Sequence, residues 1–477
     1  MKKKYIVGVD GGSQSSKVVI FDLEGNIVCQ GNQSLRPMSL REPGIVEHPD
    51  DDLWDSILVA CKEAMDSFSG DVKDIIGLGL CTIRFCRVLL KEDGTLAQPV
   101  LSWMDARVSR PHEHVNPLVK YVTTTTGYIT HRFTGEFNDT AANYQGQWPI
   151  DTDTWQWSED PKIFKHFNIP REMLFNLQMP GTILGYVTEK AAVLTGIPAG
   201  IPVVTTANDK AVEALGAGLM GEKTGLISLG TYIASMVQGK ENPKNVANFW
   251  TNFASIPNKY LYESYGIRRG MWTVSWFKDL LGNEISLKAE SLGISPEEYL
   301  NREAEKTPPG SDGLMTVLDW LAPTDKPFKK GLMIGFDARH TRAHIYRSIL
   351  EAIALTIKNC ADAMCGELNI ELEDIIVSGG GSNSNLFMQI FADVFGIPAS
   401  RNVVNGSASL GSAICVAVAL GVYNNYEAAI KNMVRMGDTF QPNKENTDLY
   451  RKMNNEVYKN ITSYTDEIFK KSYPIFN

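Results

Sequence analysis

Apolar positions along the chain follow two periods, and these periods predict strands that alternate with helices. Short β-branched runs at residues 5–9 and 75–80 are typical of buried strands. Apolar residues at helical spacing predict an amphipathic helix over residues 52–68 and a longer helix over residues 343–368. Because strand-like and helical runs alternate through the chain, we expect an α/β protein.

Three predicted strands end in turns that are rich in glycine and hydroxyl side chains. These strand–turn segments cover residues 5–16, 226–231 and 375–381. Ligands bind at strand ends in α/β sheets, and the backbone N–H groups of such turns suit phosphate oxygens. The first turn lacks the spacing of a P-loop and, taken alone, is also compatible with an ordinary hairpin. The recurrence of the pattern favours phosphate binding.

The length of the chain, 477 residues, is too great for one compact core and predicts two lobes. A polar break at residues 238–246 predicts the boundary between them. The N-terminal lobe would then cover residues 1–240 and the C-terminal lobe residues 241–477. We expect a closing C-terminal segment to pack back across the structure.

Charge and cysteine usage narrow the possible partners. A net charge of −9 and a pI near 5.4 argue against a general nucleic-acid binder. The N-terminal apolar run is interrupted by Gly8 and Asp10, so it predicts a strand rather than a signal peptide, and no stretch is long enough to span a bilayer. The seven scattered cysteines are typical of free thiols in a reducing compartment. We therefore expect a cytoplasmic protein that binds a small molecule.

Several segments, taken in order along the chain, resemble the motifs of the FGGY carbohydrate kinases. The matching segments are residues 5–22, 44–54, 101–107 (LSWMDAR), 133–136 (FTGE), 207–218 (ANDKAVEALGAG), 228–231 (SLGT) and 378–396 (SGGGSNSNLFMQIFADVFG). The resemblance runs nearly from end to end. It implies a two-lobed, actin-like ATPase fold of the ribonuclease H-like type, with ATP and a sugar in the cleft between the lobes.

The resemblance also implies the residues of the nucleotide site. Asp10, at the end of the first strand, would hold Mg²⁺, which takes oxygen ligands and needs only one or two carboxylates. The nucleotide phosphates would be bound by Gly12, Ser13, Gln14, Ser15, Lys17 and Thr231. The remaining nucleotide contacts would come from Gly270, Gly380, Gly381 and Ser384. The adjacent glycines would let the adenine lie flat against the backbone.

Asp209 is the residue that the resemblance identifies as the general base. It follows a predicted strand at residues 201–206 and opens a predicted small-residue helix over residues 211–219. In this position its carboxylate would take the proton of the attacking hydroxyl. The alternative is a carboxylate that only interacts with the helix dipole, which is worth about 0.3–1 kcal/mol.

The implied acceptor site departs from the family pattern. Its residues would be Arg84, Trp103, Asp105, Asp209 and Lys210. Arg84 lies between two apolar residues, and Lys210 stands where the family usually has Asn or Gln, so two cations would face the acceptor. Such a pair suits a sugar acid, because arginine binds carboxylates through two parallel hydrogen bonds. The competing interpretation is that Lys210 pairs with Glu213 in an ordinary surface contact.

Two further assignments are open. Trp103 is either a wall of the sugar site or part of the core. Asp105, together with Arg107, is either a sugar contact or one half of a structural ion pair.

The predicted function is ATP-dependent phosphorylation of a hydroxyl group on a small sugar, polyol or sugar acid. The alternative is a catalytically inactive regulatory protein of the same fold that binds a sugar or a nucleotide, and the altered segments at residues 83–85 and 208–210 motivate it. Family members are often dimers, so a homodimer is a further expectation.

Overall fold

The computed structural model describes residues 3–42, 44–230, 232–323, 325–403 and 407–476. The strands are β1 (Tyr5–Gly11), β2 (Ser15–Asp22), β3 (Ile27–Ser34), β4 (Ser39–Glu42), β5 (Ile45–Glu47), β6 (Ile75–Thr82), β7 (Val88–Leu90), β8 (Tyr121–Thr123), β9 (Asn138–Thr140), β10 (Ile150–Asp151), β11 (Gln156–Trp157), β12 (Asn176–Gln178), β13 (Ile183–Tyr186), β14 (Pro202–Val204), β15 (Thr224–Leu229), β16 (Ile233–Gly239), β17 (Phe249–Phe253), β18 (Tyr260–Ser264), β19 (Met315–Val317), β20 (Leu332–Ile334), β21 (Asp374–Ser378), β22 (Ala399–Asn402) and β23 (Met436–Phe440). The α-helices are α1 (Asp52–Asp66), α2 (Thr125–Thr134), α3 (Pro161–Phe167), α4 (Glu189–Thr195), α5 (Asp209–Gly216), α6 (Gly270–Leu280), α7 (Asn283–Ser291), α8 (Pro296–Ala304), α9 (Arg342–Leu368), α10 (Asn385–Phe395), α11 (Ser407–Ala419), α12 (Tyr426–Met433), α13 (Lys444–Glu456) and α14 (Ile461–Phe476).

Two large sheets form the centres of two lobes. The first sheet has the strand order β13-β14-β6-β1-β2-β3, and the second has the order β17-β18-β16-β15-β21-β22-β23. In the first, β1 pairs antiparallel with β2 and parallel with β6. In the second, β15 pairs antiparallel with β16 and parallel with β21. Each lobe therefore places an antiparallel hairpin beside a parallel strand, so the α/β prediction is confirmed and the two sheets repeat one arrangement.

The division between the sheets lies earlier in the chain than the predicted boundary at residues 240 and 241. Both β15 and β16 precede that boundary, yet they belong to the second sheet. The chain passes from one sheet to the other between the end of α5 at Gly216 and the start of β15 at Thr224. The polar break near residue 240 is a loop between two strands of the second sheet, and a loop has the same composition as a linker between lobes.

The predicted elements with strong periodicity are present. The helix predicted over residues 52–68 is α1, the one predicted over residues 343–368 is α9, and the strand predicted at residues 75–80 is β6. The weaker predictions differ in their ends. The helix expected over residues 211–219 begins two residues earlier, at Asp209, because the Asn208 side chain accepts a hydrogen bond from the backbone N–H of Ala211 and caps it.

Helix α11 follows β22 of the second sheet in the chain but packs against the first sheet and against α5. The approach is close because glycines line it. A Cβ on Gly8 of β1 would overlap the carbonyl oxygen of Ser409, and a Cβ on Gly216 of α5 would overlap that of Ser407. Backbone contact at this distance fixes the position of α5, the helix that begins at Asp209.

The cysteines are unpaired, as expected from their scattered spacing. All seven cysteines carry free thiols, and burial raises the pKa of the Cys86 thiol to about 12. In the described part of the chain, no helix combines the length and apolarity that crossing a bilayer requires. The cytoplasmic location stays a prediction.

We predict that Gly411→Ala destabilises the protein by at least about 2 kcal/mol, because its new Cβ would overlap the carbonyl oxygen of Val212 in α5. Gly366→Ala is the matched control, since Gly366 lies inside α9 and a Cβ there meets no atom within 4 Å. The control should be neutral or more stable by about 0.5–1 kcal/mol, because alanine favours the helix. Urea unfolding measures both free energies. Equal stability of G411A and the wild type would contradict the close packing of α5 and α11.

Candidate active site

The three glycine-rich turns lie at the cleft between the lobes. In the second sheet, Ser228 of β15 and Ser378 of β21 are partners in the parallel register, so their following turns are neighbours. A Cβ on Gly379 would come within 2.5 Å of the carbonyl oxygen of Leu229, and Gly379 has a φ of +96° that favours glycine. From the first lobe, Asp10 at the end of β1 faces Asp209 and Glu213 closely enough for their charges to interact.

Glu213 links helix α5 of the first lobe to both glycine-rich turns of the second. Its carboxylate accepts hydrogen bonds from the Ser228 hydroxyl at 2.8 Å and from the Ser378 hydroxyl at 3.1 Å. Lys210, one turn earlier on α5, donates to Glu213 at 2.9 Å and to the Ser228 hydroxyl at 2.6 Å. Burial opposes the negative charge of Glu213, but Lys210 and the two hydroxyls outweigh it and lower the pKa. Glu213 is therefore a buried, ionised bridge between the lobes.

Asp10 and Asp209 share the same low-dielectric cleft. Burial, followed by the charge of Asp209, raises the pKa of Asp10 from 3.8 to about 7. Burial also raises the pKa of Asp209, although Arg84 and Lys210 act in the opposite direction. Perturbed carboxylates in a cleft are typical of functional sites. Asp209 is the first residue of α5, and its carboxylate accepts a hydrogen bond from the backbone N–H of Lys210.

Arg84 does not face the cleft as an unpaired cation. Its two terminal nitrogens donate to the two carboxylate oxygens of Glu263 at 2.6 and 2.7 Å. Glu263 lies in β18 of the second lobe and also accepts a hydrogen bond from Asn252 at 3.1 Å. Burial works against the charge of Arg84, but Glu263 more than offsets it and raises the arginine pKa. The next residue, Phe85, has a φ of +65°, a strained backbone of the kind found at functional sites.

Lys210 is paired as well, which decides between the two interpretations of this residue. It forms the predicted ion pair with Glu213, but the pair is largely buried and is not a surface contact. Both cations that motivated a sugar-acid acceptor, Arg84 and Lys210, are thus compensated by a carboxylate. The prediction of a sugar-acid acceptor, which depended on two unpaired cations, is therefore no longer supported.

The first nucleotide turn has the predicted hairpin geometry. The N–H of Gly12 donates to the carbonyl of Ser15 at 3.0 Å, which closes the turn between β1 and β2. Ser13 and Gln14 form its tip, and Lys17 lies opposite Asp10 in the strand register. Burial lowers the pKa of Lys17, while Asp10 acts against this shift. The residues predicted to bind phosphate surround Asp10, and their roles remain predictions.

The second-lobe residues predicted to bind the nucleotide have different surroundings. Gly380 has open space where a Cβ would stand, whereas a Cβ on Gly381 would come within 2.7 Å of the Leu229 side chain. Ser384 accepts a hydrogen bond from the N–H of Phe387 and caps α10. A Cβ on Gly270 would overlap the side chain of Ile233, so packing explains this glycine without a nucleotide.

Thr231, predicted to bind phosphate, lies outside the described residues. Its predicted contact with the nucleotide therefore stays a prediction.

Two predicted acceptor residues near residue 105 have different surroundings, since Trp103 is exposed and Asp105 has a structural role. Trp103 is 47% exposed, which excludes a place in the core and is compatible with a wall of the sugar site. Asp105 is buried, and its carboxylate accepts hydrogen bonds from the N–H of Val46 and from the side chain of Arg107. Arg107 also pairs with Glu47 at 2.7 Å. The structural ion pair accounts for Asp105, which was predicted to bind substrate, because its oxygens are already occupied.

The second lobe contributes a wall that the sequence did not reveal. Trp250 of β17 lies opposite Glu263 in the antiparallel register, so the two side chains share a face of the sheet. The rings of Trp250 and Tyr265 are 4.7 Å apart, and both are nearly half exposed. The pairing of β17 with β18 places Trp250 beside Glu263, the partner of Arg84. Glu213, by contrast, follows Asp209 at helical spacing and could have been predicted to share its face.

Comparisons with known proteins assign the fold and the cleft to a class. The FGGY family of carbohydrate kinases, N-terminal domain, matches residues 5–119 and 111–216, and the C-terminal domain of that family matches residues 225–420. The chain therefore belongs to the FGGY family of carbohydrate kinases. The two-lobed, actin-like ATPase fold is confirmed, and the protein is a carbohydrate kinase.

Individual relatives cover the whole chain. "Uncharacterized sugar kinase YgcE" of Escherichia coli (strain K12) is 56% identical over 477 residues, which are 100% of this chain and 97% of the relative. The structure of a gluconate kinase from Lactobacillus acidophilus has a TM-score of 0.84 at 17% identity, covering 98% of this chain and 100% of the other. The structure of Plasmodium falciparum glycerol kinase with ADP has a TM-score of 0.81 at 19% identity, covering 96% and 99%. The two structures show the fold alone.

We predict that Asp10→Asn stabilises the metal-free protein increasingly as the pH rises from 4 to 8. In the wild type, the folded state holds a proton on Asp10 up to about pH 7, whereas an unfolded aspartate loses it near pH 3.8. Folding therefore becomes less favourable over this window, by up to about 4 kcal/mol for a shift of about three units, and asparagine abolishes the effect.

Denaturant unfolding with a chelator present, at pH 5 and pH 8, measures this difference. Asp66→Asn is the control, because Asp66 is exposed at the end of α1. It should show no comparable change between the two pH values. A D10N variant whose stability tracks that of the wild type at both pH values would contradict the burial of a charged Asp10.

Proposed function

We propose that this protein transfers the γ-phosphoryl group of ATP to a hydroxyl group of a small, uncharged sugar or polyol. The observation that carries the proposal is the convergence of Asp209 with Asp10 and the glycine-rich turns at the interlobe cleft. Phosphoryl transfer requires an in-line arrangement of nucleotide and acceptor, charge neutralisation and a group that accepts the hydroxyl proton. Each requirement has a candidate residue in this cleft.

Asp209 acts as the base. The acceptor oxygen attacks the γ-phosphorus, the bond from that phosphorus to the bridging oxygen of ADP breaks, and the hydroxyl proton passes to the Asp209 carboxylate. Because burial raises the pKa of Asp209, the carboxylate is a better proton acceptor than one in water. The cap at Asn208 and the packing of α5 against α11 hold this carboxylate in place.

The residues at the end of β1 fit a magnesium ion. Asp10 offers hard oxygen ligands, and burial, followed by the charges of Asp209 and Glu213, raises its pKa. A divalent cation bound there would neutralise charge on the nucleotide phosphates. Lys17, across the strand pair from Asp10, adds a further positive charge on the same side.

We propose that the charges of the residues lining the acceptor pocket cancel each other. The Arg84–Glu263 pair spans the lobes beside Asp209, and its charges cancel. An acceptor carboxylate would lie near Asp209 without an unpaired cation, and burying an uncompensated charge is costly. A neutral polyol instead offers hydroxyl groups to the remaining polar atoms and an apolar face to exposed aromatic rings such as Trp250.

We predict that Asp209→Asn lowers kcat by about 10³-fold or more while nucleotide affinity changes little, because asparagine cannot accept the proton. The measurement is ADP release over a panel of sugars and polyols, together with calorimetric titration of ADP. Asp55→Asn is the matched control, since Asp55 is also a carboxylate in the first turn of a helix. It should keep nearly full activity. Comparable losses in the two variants would show that Asp209 has only a local helical role.

We predict that the wild type uses a neutral polyol at least about 100-fold more efficiently, by kcat/KM, than the sugar acid of the same carbon skeleton. Glu263→Gln should reduce this preference about tenfold, because it removes the negative partner of Arg84. Glu47→Gln, which weakens an ion pair with Arg107 away from the cleft, is the control and should leave the preference unchanged. Efficient use of sugar acids by the wild type would contradict the neutral acceptor.

A further inference from the structure

Lys210 extends from the catalytic helix toward a nucleotide turn of the opposite lobe. It follows Asp209 directly, and its ammonium group donates to the hydroxyl of Ser228 at 2.6 Å. The same nitrogen lies 3.9 Å from the point where a Cβ on Gly230 would stand. Ser228 and Gly230 belong to the end of β15 and the turn that follows it. The cation therefore lies on the nucleotide side of Asp209.

The position is an unfavourable one for a cation unless it has a partner. A positive charge in the first turn of a helix opposes the helix dipole, and burial of an ammonium group costs free energy. Burial does act against the charge of Lys210, but Glu213 and then Asp209 outweigh it and raise the lysine pKa. The local structure thus keeps a positive charge at the mouth of this turn.

An ammonium group has three N–H donors, and two of those of Lys210 have partners in the structure. Glu213 accepts one at 2.9 Å, and Ser228 accepts another. Among the side chains that the structure describes, no third acceptor for this nitrogen is recorded. The third donor is available to a ligand between Asp209 and Gly230.

We propose that Lys210 donates its third N–H to the γ-phosphoryl group and stabilises the charge on that group during transfer. The proposal rests on the proposed function and deepens it, because it moves Lys210 from the acceptor site to the nucleotide site. Lys210 remains protonated throughout. The acceptor proton goes to Asp209, and the electron pair of the broken phosphorus–oxygen bond stays with ADP. A fixed cation aimed at the reacting phosphoryl group is a strong source of electrostatic stabilisation.

The test compares the affinity of a non-hydrolysable ATP analogue with that of ADP, by calorimetry with Mg²⁺ and without acceptor. Lys210→Gln keeps donors for Glu213 and Ser228 but removes the charge. It should weaken the analogue about tenfold and leave ADP within about twofold, because only the analogue carries a γ-phosphoryl group. With an acceptor, kcat should fall about 100-fold while the acceptor KM changes little.

Two further variants separate a catalytic from a structural role. Lys223→Gln removes the charge of an exposed lysine that pairs with the exposed Glu373, so it should keep the wild-type affinity ratio. Lys210→Met removes the charge at nearly constant length and should reproduce the K210Q ratio, which keeps the test decisive if one variant folds poorly. An unchanged ratio in K210Q and K210M would overturn the proposal, as would a loss confined to the acceptor KM.

The same titrations separate this inference from the proposed function. A wild type that binds the analogue and ADP, but phosphorylates no acceptor in the panel, would refute the proposed acceptor class and leave the affinity ratio as the test of Lys210. A wild type that binds neither nucleotide would refute both.

Discussion

The structure depends on holding several buried carboxylates close together in one cleft. Asp10, Asp209 and Glu213 come from two elements of the first lobe, and their mutual repulsion contributes to the raised pKa of Asp10. In a low-dielectric site such repulsion is costly, so the surrounding charges are constrained. Lys210 compensates Glu213 directly, and Arg84 moderates the pKa of Asp209. This balance leaves Asp10 as the carboxylate that most lacks a partner, which suits a site for a divalent cation.

Glu213 also connects the two lobes through hydrogen bonds. Its hydrogen bonds to Ser228 and Ser378 tie α5 to two adjacent parallel strands of the opposite sheet. On its other side, α5 contacts α11 through glycines that allow backbone-to-backbone packing. Helix α5 is therefore held from both sides. Asp209, at the first position of that helix, takes its orientation from contacts made one and two turns further along.

Features of the fold and the site that depend on neighbouring residues were predictable from the sequence. Features that depend on contacts between distant residues were not. Strong periodicity predicted α1 and α9, and the glycine-rich turns were recognisable because their composition is local. The lobe boundary was misplaced because a strand–strand loop and a linker share the same polar composition. Asp105 was assigned to the substrate because a sequence cannot show that its oxygens are occupied by Val46 and Arg107.

The acceptor site was harder to predict from the sequence than the fold, because its main ion pair joins distant residues. Arg84 and Glu263 are far apart in the chain, and their pairing depends on the register of β18 and on the closeness of the lobes. From the sequence, Arg84 was an unpaired cation and predicted a charged substrate, whereas the structure supplies its counterion. Because of this pairing, opening the cleft would leave both charges without a partner. Separating the lobes would expose both charges to water, so the compensated pocket exists only when the lobes are together.

This dependence gives a physical reason for acceptor and nucleotide recognition to be coupled. Trp250 and Glu263 belong to the same sheet that carries the turns after β15 and β21. Any motion that brings those turns toward Asp10 also brings the aromatic wall toward Arg84. Closure would exclude water at the moment when the phosphoryl group becomes reactive, which limits its transfer to water. The Arg84–Glu263 pair joins the first lobe to β18 of the second, so it favours the arrangement in which the lobes are together.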